Sequence, residues 1–157
     1  MHQGKVSSSL LFVLVSLFIS AEVFAQAEVI EKRKQLMKEN NAAVKAIKEA
    51  VEAKDYATIE IKAREINSGL EKAADLFPKG SISEKSRAHP DIWEKPDEFK
   101  KRLTNARKAA EALSKAAAAK NDDEVNVQVK ALGNTKEGAC GECHKVFRSD
   151  FRKEKKE

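Results

Sequence analysis

The sequence predicts an all-α protein in which four helices form an antiparallel bundle. Apolar residues recur at helical spacing along nearly the whole of residues 26–157, which is typical of amphipathic helices. The first and third of the connections between them are short, which favours antiparallel neighbours. Because no amphipathic helix can bury its apolar stripe alone, four of them are expected to pack around one core.

Each predicted helix rests on one stripe of apolar residues spaced about one or two turns apart. The first stripe comprises Ile30, Met37, Val44, Ile47 and Val51. The second comprises Ile59, Ala63, Ile66, Leu70, Ala73 and Phe77. The third comprises Phe99, Leu103, Ala106, Ala110, Leu113 and Ala117. The fourth comprises Val125, Val129, Leu132, Ala139, Cys143 and Val146.

The connections carry turn and capping residues. Asp55 follows the first stripe and is placed to cap the second helix. The sequence "KNDD" at 120–123 provides a loop and a cap before the fourth helix. The middle connection, 78–96, is long and contains all three prolines and the only tryptophan. A loop of that length in a compact domain is usually functional or packed as a lid.

The first 25 residues are expected to be a secretory signal peptide. Lys5 supplies the positive start, "LLFVLVSLFI" the apolar run and Ala25 a small residue before the cut. A membrane anchor is the alternative, but the apolar run is about half of the roughly 20 residues that span a bilayer. We therefore expect a periplasmic protein without stable membrane insertion, whose residues 26–157 form one domain.

The charge of the chain argues against nucleic acid as a partner. Lys and Arg number 30 against 25 Asp and Glu, a net charge of +5. The basic residues are mixed with glutamates, without aromatic interleaving or an arginine cluster. At most, this excess favours acidic partner surfaces.

Both cysteines of the chain lie in "GACGECHKVF", residues 138–147. Four interpretations compete: a redox disulfide, a zinc site, two buried small side chains, and covalent haem attachment. Thiol-redox enzymes carry C-x-x-C near a pattern of strands, and no such pattern is present here. A structural zinc site needs four ligands. Burial alone does not explain the adjacent histidine. C-x-x-C-H is the haem attachment signature, and on a helix Cys140, Cys143 and His144 share one face. We therefore predict one covalent haem c, with His144 on its iron.

The chain also resembles the class II cytochromes c, the family of cytochrome c′ and its low-spin relatives of the c-556 type. The resemblance rests on "CGECHKVFR" on the last helix, "HPDIWEKPDEF" at 89–99 and "EKRKQLMKEN" at 31–40. It covers essentially all of residues 26–157. It implies a four-helix bundle with haem near the C-terminal helix.

The resemblance also implies a ligand set. A methionine on a core stripe is usually only packing, but Met37 matches the position of the sixth iron ligand in the low-spin branch. The expected function is then that of a low-spin His/Met one-electron carrier and not of an enzyme, with redox partner proteins of unknown identity. The alternative is a high-spin protein of the cytochrome c′ kind that binds nitric oxide or carbon monoxide. A zinc or thiol-redox module is a third class.

Three further residues are expected near the haem. Arg33, one turn from Met37, is expected to pair with a haem propionate, and Trp93 to pack beside the haem. Arg148 resembles the family's basic residue near the proximal histidine. Family members occur as monomers and as dimers, and the absence of a clear second apolar face favours a monomer here.

Overall fold

The structure, a computed structural model, describes residues 9–83, 86–133 and 137–149, with side chains from residue 25 onward. Apart from one short 3₁₀ helix, the elements in this part are six α-helices: α1 (Ser9–Glu52), α2 (Tyr56–Ala73), α3 (Asp91–Glu94), α4 (Pro96–Ala118), α5 (Asp122–Leu132) and α6 (Ala139–Phe147). The 3₁₀ helix Ala74–Leu76 extends α2. The predicted all-α class is confirmed.

The helices form the predicted four-helix bundle. Helix α2 packs on both α1 and α4, and α4 in turn packs on α5 and α6. Helices α5 and α6 together occupy the place of the fourth helix. The second stripe of apolar residues is buried along α2 and the third along α4, as the spacing predicts.

The fourth stripe, predicted as a single helix, is instead divided between α5 and α6. Gly133 has φ −47° and ψ 166°, and Gly138 has φ −81° and ψ 152°, so both leave the helical conformation. The N–H of Gly141 donates to the carbonyl of Gly133 at 3.3 Å. Glycine is among the poorest helix formers, and here two glycines allow the backbone to turn and to pack closely on itself.

Helix α1 buries part of the predicted stripe. Ile30 and Ile47 are buried, whereas Met37 and Val44 are half-buried. The reason is that Met37 and Val44 line a cavity, which is described below.

The predicted signal peptide lies partly outside the described residues, which begin at Ser9. From Ser9 the backbone is helical and continues into the rest of α1. Within the described part of the chain, no helix is long and apolar enough to cross a membrane. The cut near Ala25 stays a prediction.

Helix ends follow ordinary capping chemistry. The Asp55 carboxylate accepts a hydrogen bond from the N–H of Thr58 at 3.1 Å, as predicted for the start of α2. Asn121 does the same for the N–H of Glu124 at the start of α5. Each cap satisfies one of the backbone donors that a helix start leaves unpaired.

The connection between α2 and α4, which we call the strap (77–83 and 86–95), pairs with the end of α6. Ala88 forms an isolated antiparallel bridge with Arg148. The N–H of His89 donates to the carbonyl of Phe147 at 3.1 Å, and that of Ser149 donates to the carbonyl of Arg87 at 2.9 Å. The long connection is therefore packed against the helix that carries the C-x-x-C-H motif.

Candidate functional site

A cavity of about 510 Å³ lies between α1, the strap, α4 and α6. This volume is within the range of about 300 to 1,000 Å³ that is usual for cofactor sites. Cys140, Cys143 and His144 line it from α6, and Met37 lines it from α1. The structure thus brings together the four residues that the sequence singles out as the haem attachment and iron-binding set.

Helix α6 presents the motif because it is held at both ends. Its first turn carries Glu142, whose carboxylate accepts a hydrogen bond from Arg102 of α4 at 2.9 Å. Its last turn carries His144, and the strap pairs with the residues that follow. Within the helix, Cys143 is buried and Cys140 is half-buried, both against the cavity.

The electrostatics of α6 favour a neutral imidazole. Burial, together with the nearby charges of Arg148 and Arg87, lowers the pKa of His144 to about 4. A histidine binds a metal in its neutral form, so this environment keeps His144 in the state that ligation needs. Burial raises the pKa of both cysteine thiols to about 11, so they remain protonated within the folded chain.

The α1 wall of the cavity offers one candidate iron ligand. Met37 and Val44 lie on it seven residues apart, with Asn40 and Asn41 between them. In the described residues that line the cavity, His144 is the one imidazole, and no carboxylate is present. The thioether of Met37 is therefore the soft donor that this wall presents.

Arg33 also lines the cavity, and its guanidinium is engaged by the chain itself. The side chain is only 4% exposed. It donates hydrogen bonds to the carbonyls of Leu76 and Ser81 and to the hydroxyls of Ser81 and Ser86. Its Cζ atom lies 4.7 Å from the centroid of the Phe77 ring. These bonds occupy both terminal nitrogens, and the pairing with a haem propionate stays a prediction.

Trp93 is hydrogen-bonded to the start of the strap, and its expected packing beside the haem stays a prediction. It is not among the described residues that line the cavity. Its indole N–H donates to the carbonyls of Phe77 and Pro78, at 3.1 and 2.9 Å. Trp93 therefore secures the start of the strap, a role that spacing along the chain does not reveal.

Arg148 and Arg87 both line the cavity, and the predicted role of Arg148 near the proximal histidine stays a prediction. Sequence reasoning missed Arg87, since it belongs to a loop without periodicity and reaches α6 only through the fold. A row of aromatic rings also lines the cavity, and two of them, Phe77 and Phe99, belong to the predicted apolar stripes. The ring centroids of Phe77 and Phe99 are 4.9 Å apart, and those of Phe99 and Phe147 are 5.2 Å apart, both edge to face.

These residues fit a covalently attached haem c. The two thiols needed for thioether bonds are free, and they share a mostly apolar cavity with one neutral imidazole. In the described residues both cysteines are free thiols, and no group of three or more His, Cys, Asp or Glu side chains is arranged to hold a metal ion.

Comparison with known proteins supports the same family. The family model described as Cytochrome C′ matches residues 28–148. A cytochrome c′ from Pararhodospirillum photometricum is 32% identical over 122 residues, which cover 76% of this chain and 94% of the relative. A cytochrome c-554 from Cereibacter sphaeroides is 40% identical over 77 residues, 47% of each protein, so the match spans about half the length of that relative.

Solved structures share the fold. Cytochrome c prime from Shewanella frigidimarina has a TM-score of 0.71 and 21% identity, over 80% of this chain and 97% of its own. A nitric oxide complex of a variant of cytochrome c prime from Alcaligenes xylosoxidans has a TM-score of 0.70 and 19% identity, over 80% and 96%. A third neighbour, at 0.71 and 22% over 80% and 97%, is a cytochrome c′ with an unusual ligand-controlled dimer dissociation.

The neighbour that forms a dimer leaves our preference for a monomer without support. The expectation of a low-spin electron carrier is likewise less well supported than its alternative, since the matches that span most of the chain are to cytochromes c′. The resemblance noted in the sequence is confirmed. The chain belongs to the cytochrome c′ family, whose members carry covalently attached haem c.

Proposed function

We propose that this chain binds a small diatomic gas, nitric oxide or carbon monoxide, at a haem c whose iron His144 would hold. The observation that carries the proposal is the chemistry of the α1 wall. Besides cations and amides, that wall presents Met37 and Val44. A thioether is a neutral and weak ligand, so this side of the cavity leaves room for a competing small molecule.

The comparisons support this proposal. The relative matched over 94% of its length is a cytochrome c′, and a protein with the same fold has been characterised as a nitric oxide complex. The mostly apolar lining adds to this support, because a neutral diatomic molecule loses little solvation there.

A second function, one-electron transfer at a haem whose iron His144 and Met37 would both hold, is favoured by one specific observation. Met37 lines the same cavity as His144, from the helix on the other side. Bound haem supplies a one-electron couple, and a His/Met pair raises its reduction potential. The protein would hold both ligands in place so that little rearranges when an electron is exchanged with a partner protein.

We also propose that the chain acts in the periplasm and catalyses no reaction of its own. The support for this location is the signal-like sequence of residues 1–25. The support for a non-enzymatic role is that the ionisable residues lining the cavity fit ligation and charge stabilisation.

Optical spectra distinguish the two functions. For gas binding, we expect the reduced protein to change its spectrum when carbon monoxide is added. For the carrier, we expect a sharp, split α-band that carbon monoxide leaves unchanged, and a Met37→Leu variant that acquires the response. Val44→Leu, which alters the same wall without removing a sulfur, is the matched control. A wild-type protein that ignores the gas while Met37→Leu binds it would overturn gas binding.

A further inference from the structure

Three of the four buried polar or charged side chains in the described residues lie together where α1 meets the strap. They are Arg33, Ser81 and Ser86. Polar groups are costly to bury unless they are hydrogen-bonded, and these three bond to one another. Arg33 Nη1 donates to Ser81 Oγ at 3.1 Å, and Arg33 Nη2 donates to Ser86 Oγ at 3.0 Å. The planar guanidinium therefore fixes two points of the strap against α1.

Ser86 connects this cluster to α6. Its hydroxyl oxygen accepts a hydrogen bond from Arg33 and a second from the N–H of Ala88, at 3.1 Å. Ala88 is the residue that forms the bridge with Arg148, four positions after His144. Hydrogen bonds thus link Arg33 to Ser86 and Ser86 to Ala88, and the two chain neighbours of Ala88 are hydrogen-bonded in turn to residues at the end of α6.

Arg87 lies in the middle of this path. It lines the cavity, and its Nε–H donates to the carbonyl of Ser149 at 3.2 Å. His144 lines the same cavity, so the guanidinium of Arg87 and the imidazole of His144 border one space. The position of the strap therefore sets how close a cation lies to the His144 side of the cavity.

We propose that Arg33 and Ser86 are positioning residues, which act on the His144 side of the haem site by holding Arg87 in place through the strap. Met37 lies one turn from Arg33 on α1, so a single buried cluster links the two sides of the cavity. A cation held near the iron repels the more positive, oxidised state more strongly than the reduced state, so it favours the reduced state. The redox part of this inference rests on the proposed haem site, whereas the mechanical part rests on the hydrogen bonds alone.

The first test uses Ser86→Ala in the haem-loaded protein, because this change removes the hydroxyl without altering any charge. The readout is amide hydrogen exchange at His89 and Ser149, whose N–H groups join the strap to α6. Loss of one buried hydrogen bond to a charged group should speed exchange about tenfold. Ser114→Ala is the control, since Ser114 is also buried and bonds to an arginine, Arg64, but lies on α4. It should leave both amides unchanged.

The second readout is the midpoint potential of the haem iron. We expect Ser86→Ala to lower this midpoint potential. In an Arg87→Gln background, the same substitution should shift the potential about half as much or less, because the effects of coupled residues are not additive. If Ser86→Ala fails to fold, Arg33→Lys replaces it; this variant keeps the charge but loses the forked donor, and the same changes are expected.

Unchanged exchange at His89 and Ser149 would overturn the proposal. So would a potential shift of the same size with and without Arg87, since Arg33 and Ser86 would then act on the haem directly. Neither result bears on gas binding or on the ligand role of Met37, which the spectra of the wild-type protein and of Met37→Leu decide. A wild-type protein that fails the carbon monoxide test leaves the exchange measurement valid.

Discussion

At the junction between α5 and α6, the substitution Gly138→Ala should have two opposing effects on the free energy of unfolding. Gly138 has φ −81° and ψ 152°, a conformation that alanine adopts freely. At such a position, replacing glycine by alanine normally stabilises a protein by about 0.4 to 1 kcal/mol, because the unfolded chain loses freedom. On backbone conformation alone, Gly138→Ala should therefore be favourable.

Packing reverses this expectation. A Cβ atom at residue 138 would lie 2.1 Å from the carbonyl oxygen of Gly133, 2.7 Å from its carbonyl carbon and 2.9 Å from its nitrogen. All three are backbone atoms, so no side-chain rotation relieves the contact. Forcing extra atoms into a packed site costs about 1 to 3 kcal/mol. Displacement of Gly133 would also break its hydrogen bond with Gly141, worth about 0.5 to 1.5 kcal/mol.

We therefore expect Gly138→Ala to lower the free energy of unfolding by about 1 to 3 kcal/mol, measured by urea denaturation of the haem-loaded protein. Glu137→Ala, at the exposed neighbouring position, should change it by less than about 0.5 kcal/mol. The Gly138→Ala variant should also carry less covalent haem, since α6 begins directly after Gly138. If Gly138→Ala is as stable as the parent, the close approach of Gly133 and Gly138 is wrong.

Two further predictions concern the core and the far end of the bundle. Leu113→Ala removes a side chain that is 0% exposed and should lower the free energy of unfolding by about 2 to 5 kcal/mol. Ile61→Ala, at a residue that is 55% exposed, should lower it much less. Equal losses in the two variants would contradict the burial of Leu113 in the bundle core. Asp122 accepts hydrogen bonds from Lys54 and Tyr56, and these hold the pKa of its carboxyl below the ordinary 3.8. Stability gained this way is present above that ordinary value and is lost as the pH falls through the folded-state value. Asp122→Asn should therefore be less stable than the parent at pH 7, with the difference closing in urea titrations below about pH 3.8; a constant difference would contradict the ion pair.

Local periodicity predicts α2 and α4 well because each buries one continuous face. Ile59, Ile66, Leu103 and Leu113 are all buried as their spacing indicates. The same reasoning places the C-x-x-C-H residues on one face of a helix, and the structure gathers them in one cavity. These features depend on neighbours within two turns, which a sequence displays directly.

Long-range contacts are the part that periodicity does not reach. The fourth stripe continues through Gly133 and Gly138, so spacing alone joins α5 to α6, and only the tight packing of the two glycines shows the break. Arg33 is predicted to face an anion because a buried cation needs partners. In the described residues its partners include Ser81 and Ser86, about fifty positions along the chain. Nothing in the composition of the strap identifies them.

The central claim, that Cys140 and Cys143 attach one haem c, is tested most directly by the intact mass of the protein purified from a host that attaches haem to exported cytochromes. We expect the mass of the chain plus one haem, and a pyridine haemochrome spectrum typical of two thioether bonds. The double variant Cys140→Ser, Cys143→Ser should carry no covalent haem. A wild-type chain with two free thiols or a disulfide, and without the added mass, would contradict the account.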